Sequence, residues 1–174
     1  TDGGNNIAAD PLFQNRLYGD GSVEDLHHPL RITGGSPCID TGTDQMAPTE
    51  DIVGATRPLG MKSDIGAYET DILYVDKDAT GDEEGDAWSN AYSNLSNALA
   101  NAVPGNEIWV AEGTYIPALQ TRSATSFQLV AGTSMCGGFG GTETTLFDRE
   151  LDNHAPTILS GETGVEGDHE DNCL

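Results

Sequence analysis

The chain has 174 residues, with 29 acidic side chains against 7 basic ones and a formal net charge of −22. Such a surface repels phosphate backbones and anionic lipid headgroups, so nucleic acid and the membrane surface are excluded as partners. No apolar run approaches the roughly 18 residues that a membrane span needs, and no charged-then-apolar signal segment opens the chain. With no initiator Met either, the expectation is an excerpt of a longer protein whose targeting signals lie outside it.

Residues 1–70 show few periodic runs. Leu30-Arg31-Ile32 alternates apolar with polar and predicts a short strand, bracketed by Pro29, Gly34-Gly35 and Pro37. Residues 42–60 are rich in Thr, Asp, Pro and Gly and read as an extended loop. Near Thr70-Asp71 the pattern changes, and Ile72-Leu73-Tyr74-Val75 is the first clear strand beyond it. An acidic turn follows over residues 76–86.

Leu95, Ala98, Leu99, Ala102 and Val103 recur at the spacing of one helical face, which predicts a helix over 93–103. Ser93 or Asn90 can cap its start, and Pro104-Gly105 gives a stop. Further strands are predicted at 107–111, 127–130, 135–137 and 157–160, with Ile108 and Val110 inward and Trp109 outward. Cys38, Cys136 and Cys173 cannot all pair within one chain and form no Cys-x-x-Cys arrangement, so neither zinc nor redox chemistry is signalled.

The order of several motifs adds a resemblance. Ala9-Asp10-Pro11-Leu12-Phe13, then residues 35–42 (GSPCIDTG), Arg57-Pro58 and residues 64–69 (DIGAYE) resemble the closing segment of bacterial right-handed parallel β-helix proteins with a choice-of-anchor region. Residues 73–76 (LYVD), 108–115 (IWVAEGTY), Gly137-Gly138-Phe139 and 157–161 (TILSG) resemble the opening of a pectate-lyase-like β-helix in the same proteins. The resemblance implies an all-β fold: right-handed parallel β-helix (solenoid) fragments with one short capping α-helix near 93–103. Residues 1–70 would close an upstream β-helix, and 71–174 would cap and begin a truncated second one. The two parts are expected to behave as separate units.

Chemistry-bearing constellations are sparse. Asp76, Asp78 and Asp82 lie in a turn that opens like an EF-hand, with acids at positions one and three and Gly81 at six. Ala87 stands where the bidentate Glu belongs, so a solvated turn is the stronger reading and calcium the weaker. The acidic run 166–171 and the pair His27-His28 read as exposed surface. Trp109 and Tyr115 are candidates for stacking on sugar rings, set against a plain packing role. Glycoside hydrolysis needs two carboxyl groups about 5–9.5 Å apart across a sugar. No Asp-Asp or Gly-His-Gly motif is present, and the bases Lys77, Arg122 and Arg149 are scattered, so no catalytic residue is assigned.

The expectation is therefore a non-enzymatic, extracellular bacterial surface protein for adhesion or contact with a polysaccharide or cell-surface glycan. Two alternatives stand beside it. One is a polysaccharide lyase or glycoside hydrolase whose catalytic coils lie outside the chain; the other is a calcium-stabilised structural spacer.

Overall fold

The computed structural model describes residues 7–13, 31–117, 126–149 and 156–161. They form two compact units. The first comprises the described residues up to Asp71 together with 144–148; the second comprises the described residues of 72–143 and from Arg149 onward.

Unit 2 carries the regular structure. Strand β1 spans Asp71–Val75, helix α1 Leu95–Asn101, β2 Asn106–Ala111, β3 Gly113–Tyr115, β4 Ser134–Phe139 and β5 Thr157–Leu159. The order β1-β2-β4 makes one sheet and β3-β5 a second. β2 and β4 run parallel, with Ile108 opposite Met135 and Trp109 opposite Cys136, and the register slips at a bulge before Ala111 pairs with Phe139. β3 and β5 are also parallel, with Thr114 opposite Ile158.

β2 is central, and all six of its residues are buried. Because successive side chains of a strand point to opposite faces, its two faces must be covered by different groups. Ile108 and Val110 join Val75, Leu95, Ala98, Leu99, Ala102 and Tyr115 in the apolar core. On the other face Trp109 stacks on Phe139 (centroids 4.6 Å apart, planes at 14°), with Tyr74 and Trp88 set edge-on and tilted around it. Trp109 is thus inside rather than outward, because aromatic residues cover the face that a lone strand would leave open.

The helix is shorter than its periodic pattern. Asn94 is the cap, its side-chain oxygen accepting from Ser96 N at 2.8 Å. Ala102 is already extended at φ −65° and ψ 140°, and Val103, the residue before Pro104, is half exposed. A following proline disfavours helical backbone, so the last apolar position of the pattern is lost to the turn. Leu95 and Leu99 are buried, which supplies roughly 1.5–3 kcal/mol each.

The expected all-β parallel β-helix is overturned. Among the described residues the strands form two short sheets of three and two strands beside a helix, and no turn of a solenoid closes. The segment 127–130 makes no strand, while 113–115, not among the expected strands, makes one. Among the described residues of unit 1 pairing is confined to isolated antiparallel bridges, Phe13 with Ile32 and Glu50 with Thr56.

Unit 1 is instead a set of loops held by carboxylates. Glu69 N donates to Asp51 Oδ2 at 3.0 Å, and Asp64 N donates to Glu69 Oε1 at 3.0 Å. Asp40 N donates to Asp64 Oδ1 at 2.9 Å, and Lys62 N to Asp40 Oδ1 at 2.8 Å. Four acids therefore stand in file: Asp51, Glu69 and Asp64 each accept a main-chain N–H from the next acid, and Asp40 accepts one from Lys62. These bonds take the place of a strand ladder, since every buried N–H needs an acceptor.

Candidate functional site

Two stretches of unit 1, residues 41–48 and 57–65, enclose a cleft of about 350 Å³, within the usual range for small-molecule sites. Long-range bonds hold the stretches together. Gly42 N donates to Ser63 O at 2.8 Å, and Ile65 N to Cys38 O at 2.9 Å. Gly42 is required here, because a Cβ would lie 2.5 Å from the Ser63 carbonyl oxygen. A small loop delivers Arg57: Asp51 Oδ1 accepts from Val53 N and Ala55 N, both at 2.8 Å, and Arg57 N donates to Thr49 O at 3.0 Å.

The polar lining comes from Thr41, Thr43, Gln45, Arg57, Ser63 and Asp64. Met46, Ala47, Pro48 and Ile65 supply the apolar part. Arg57 is pinned from behind. Its Nε stands 2.7 Å from Glu69 Oε1 without aligning for a hydrogen bond, so the contact is ionic, and its Nη2 donates to Gly66 O at 3.2 Å. The Glu69 side chain is fully buried. Its second oxygen accepts from Leu59 N at 3.1 Å.

Asp64 is the carboxyl group of the cleft. Burial pushes it up to about 7, against the pull of two main-chain donors, Asp40 N and Thr70 N at 2.8 Å. The charges of Glu69 and Asp40 add to the rise. Next to it, Asp44 Oδ1 accepts from Ser63 N at 2.8 Å and Ser63 Oγ at 2.9 Å, which holds Asp44 below the ordinary carboxylate range.

The residues singled out from sequence lie elsewhere, in unit 2. Asp76 Oδ1 accepts from Asp78 N at 2.9 Å, and Asp78 Oδ2 takes Lys77 Nζ at 2.6 Å, so this turn satisfies itself. Asp82 is exposed. Among the described residues no group of three acidic, His or Cys side chains gathers as a metal-ligand set. Trp109 and Tyr115 are buried and offer no face to a sugar. Tyr115 donates its hydroxyl to Ala111 O at 3.2 Å, whereas Trp109 Nε1 has no acceptor.

Arg149 donates to Gly137 O at 3.0 Å and lies over the Phe139 ring, where its role is packing. Cys136 faces Glu107 Oε1 at 3.9 Å, and burial with that charge raises the thiol to about 11. A thiol so raised is a poor nucleophile. His27-His28, Arg122, the 166–171 run and Cys173 lie outside the described residues. Among the described residues no helix is long and apolar enough to cross a membrane.

Sequence reading passed over Arg57, Asp64 and Glu69 as site residues. The signal available was the placing of acids such as Asp40, Asp51, Asp64 and Glu69 within a loop region with few strands, where they serve as acceptors for main-chain N–H groups. Compared with known proteins, the chain matches no protein family, no curated protein and no solved structure.

Proposed function

We propose that the chain is a non-enzymatic contact module of an extracellular surface protein, and that the cleft of unit 1 engages a polysaccharide or cell-surface glycan. The observation that carries this reading is the division of the cleft lining into hydroxyl, amide and charged groups and an apolar part made by Met46, Ala47, Pro48 and Ile65. A pyranose has the complementary division, with hydroxyls that both donate and accept around its rim and a C–H face that is apolar. A site with a few placed polar groups among apolar ones fixes the orientation of such a ligand.

Two features favour binding over turnover. Among the described residues Asp64 is the single carboxyl group lining the cleft, whereas glycoside hydrolysis uses a pair across the bond. Both Asp64 oxygens already accept main-chain N–H groups, which ties the carboxyl to the frame rather than to a substrate proton.

The test is titration of the full chain with a panel of oligosaccharides, read by methyl resonances of Met46, Ala47 and Ile65. The expected result is saturable shifts at these methyls and no cleavage of the sugar on prolonged incubation. Shifts confined to unit 2, or release of shortened products, would overturn the proposal.

A further inference from the structure

We infer that the cleft selects a neutral sugar and rejects the matching uronate, an inference that rests on the glycan reading above. The ground is the state of its one cation. Arg57 is the basic side chain lining the cleft, and it is already neutralised by Glu69 at 2.7 Å and committed to Gly66 O. Recognition of a ligand carboxylate by arginine relies on a free fork of parallel N–H donors, and here Nη2 donates to Gly66 O while Nε lies in ionic contact with Glu69 Oε1. An incoming carboxylate would share Arg57 with Glu69.

The surrounding charge points the same way. Asp64 lines the cleft, Glu69 stands behind Arg57, and Asp44 is bonded to Ser63 beside them. Asp40 is bound to Asp64 through its main chain, and Lys62 is exposed. With Asp64 ionised, Arg57 and Asp64 line the cleft with opposite charges while Glu69 behind Arg57 adds a second negative one, so the balance near the ligand is negative. Unit charges a few ångströms apart at a partly buried site interact strongly enough to shift affinity by about tenfold. A neutral sugar meets no such repulsion and can use Thr41, Thr43 and Gln45 for its hydroxyls. Discrimination then depends on the Asp64 charge, which the charges of Glu69 and Asp40 oppose; Arg57, Asp44 and Lys62 are the other charged groups of the two stretches that frame the cleft.

The experiment uses the full chain and three probes of one shape: methyl glucoside, methyl glucuronide and the glucuronamide. Affinities are measured at pH 8 and pH 5.5, where the glucuronide stays ionised. The glucoside and the amide are expected to bind about tenfold more tightly than the glucuronide at pH 8, with the gap narrowing at pH 5.5 as Asp64 takes up its proton. Glucuronide binding as tight as or tighter than the other two at pH 8 overturns the inference while leaving the glycan reading intact. Weak binding of the amide alongside the glucuronide would assign the selection to size, and would overturn it too. Binding of none of the three at the cleft methyls overturns the glycan reading itself, and this inference with it. Asp64→Asn, checked for native Met46 and Ile65 methyl shifts, should lose the pH dependence of the gap.

Discussion

Glu69 Oε1 serves two partners at once: the Arg57 guanidinium at 2.7 Å and the Asp64 main-chain N–H at 3.0 Å. One buried oxygen thus joins the charge of the cleft to the backbone that frames it. Removing that oxygen leaves a buried cation and an orphaned N–H together.

Glu69→Ala is therefore expected to destabilise unit 1 by about 3–5 kcal/mol, the cost of breaking one side of a buried pair. Chemical denaturation followed by the unit 1 methyl signals measures it. A loss below about 1 kcal/mol would place the pair in the solvent-screened class.

Asp64 sets a pH dependence with a definite sign. Its folded value of about 7 lies above the ordinary 3.8, so between those values the folded chain binds more protons than the unfolded one. Stability contributed by this group is full below about 4, falls as pH rises to about 7 and is level above it. Asp44 and Asp148 are shifted the opposite way, and their contributions are lost only as pH falls below 3.8. A denaturation series should show unit 1 more stable at pH 5.5 than at pH 8, and Asp64→Asn should flatten that slope while lowering stability at both pH values, since one acceptor oxygen is lost. A slope unchanged in the variant would assign it to another group.

Leu99→Asp places a charge in the α1 contact with the core of unit 2. Several kcal/mol of destabilisation are expected, since Leu99 shares the apolar core with Val75, Ile108 and Val110. Thermal or urea unfolding gives the value. A change within about 0.5 kcal/mol, the range of surface sites, would detach the helix from the core.

Gly35 has φ +81°, and a Cβ there would overlap the main chain of Thr144 and Thr145. Gly35→Ala combines left-handed strain with a backbone clash, so a loss of about 2–4 kcal/mol is expected. Hydrogen exchange at Ser36 and Ile39, whose amides bond Thr33 O and Ser36 O, reports it locally. Protection of those amides equal to that of the parent chain would show that the segment accommodates the methyl group.

What could be read from the sequence follows the reach of each interaction. The α1 face was legible because Leu95, Ala98 and Leu99 meet through local periodicity. The strands at 71–75, 106–111, 134–139 and 157–159 were legible as apolar runs between turn residues. Their assembly was not: strand-and-turn spelling is the same for a closed coil and for two small sheets, and only distant pairings decide between them. Trp109 was misplaced for the same reason, its cover coming from Tyr74, Trp88 and Phe139. The cleft depends on Gly42 meeting Ser63 and Asp40 meeting Asp64, contacts across more than twenty residues that no local pattern announces.

The file of acids in unit 1 sets its four members apart from the exposed acids of the described residues, with opposite tolerance to substitution. An exposed acid such as Asp82 can become an amide at little cost. In the file the same change swaps one acceptor oxygen for an NH₂ group that faces another N–H, so Asp→Asn and Glu→Gln cease to be conservative. Salt sorts the two populations as well. Added electrolyte screens the exposed charges and relieves their mutual repulsion, but it cannot reach an oxygen that is already enclosed by main chain. A chain this acidic should accordingly gain stability with ionic strength without its loop frame loosening, and lowering its charge by redesign would have to begin with exposed acids such as Glu50 and Asp82.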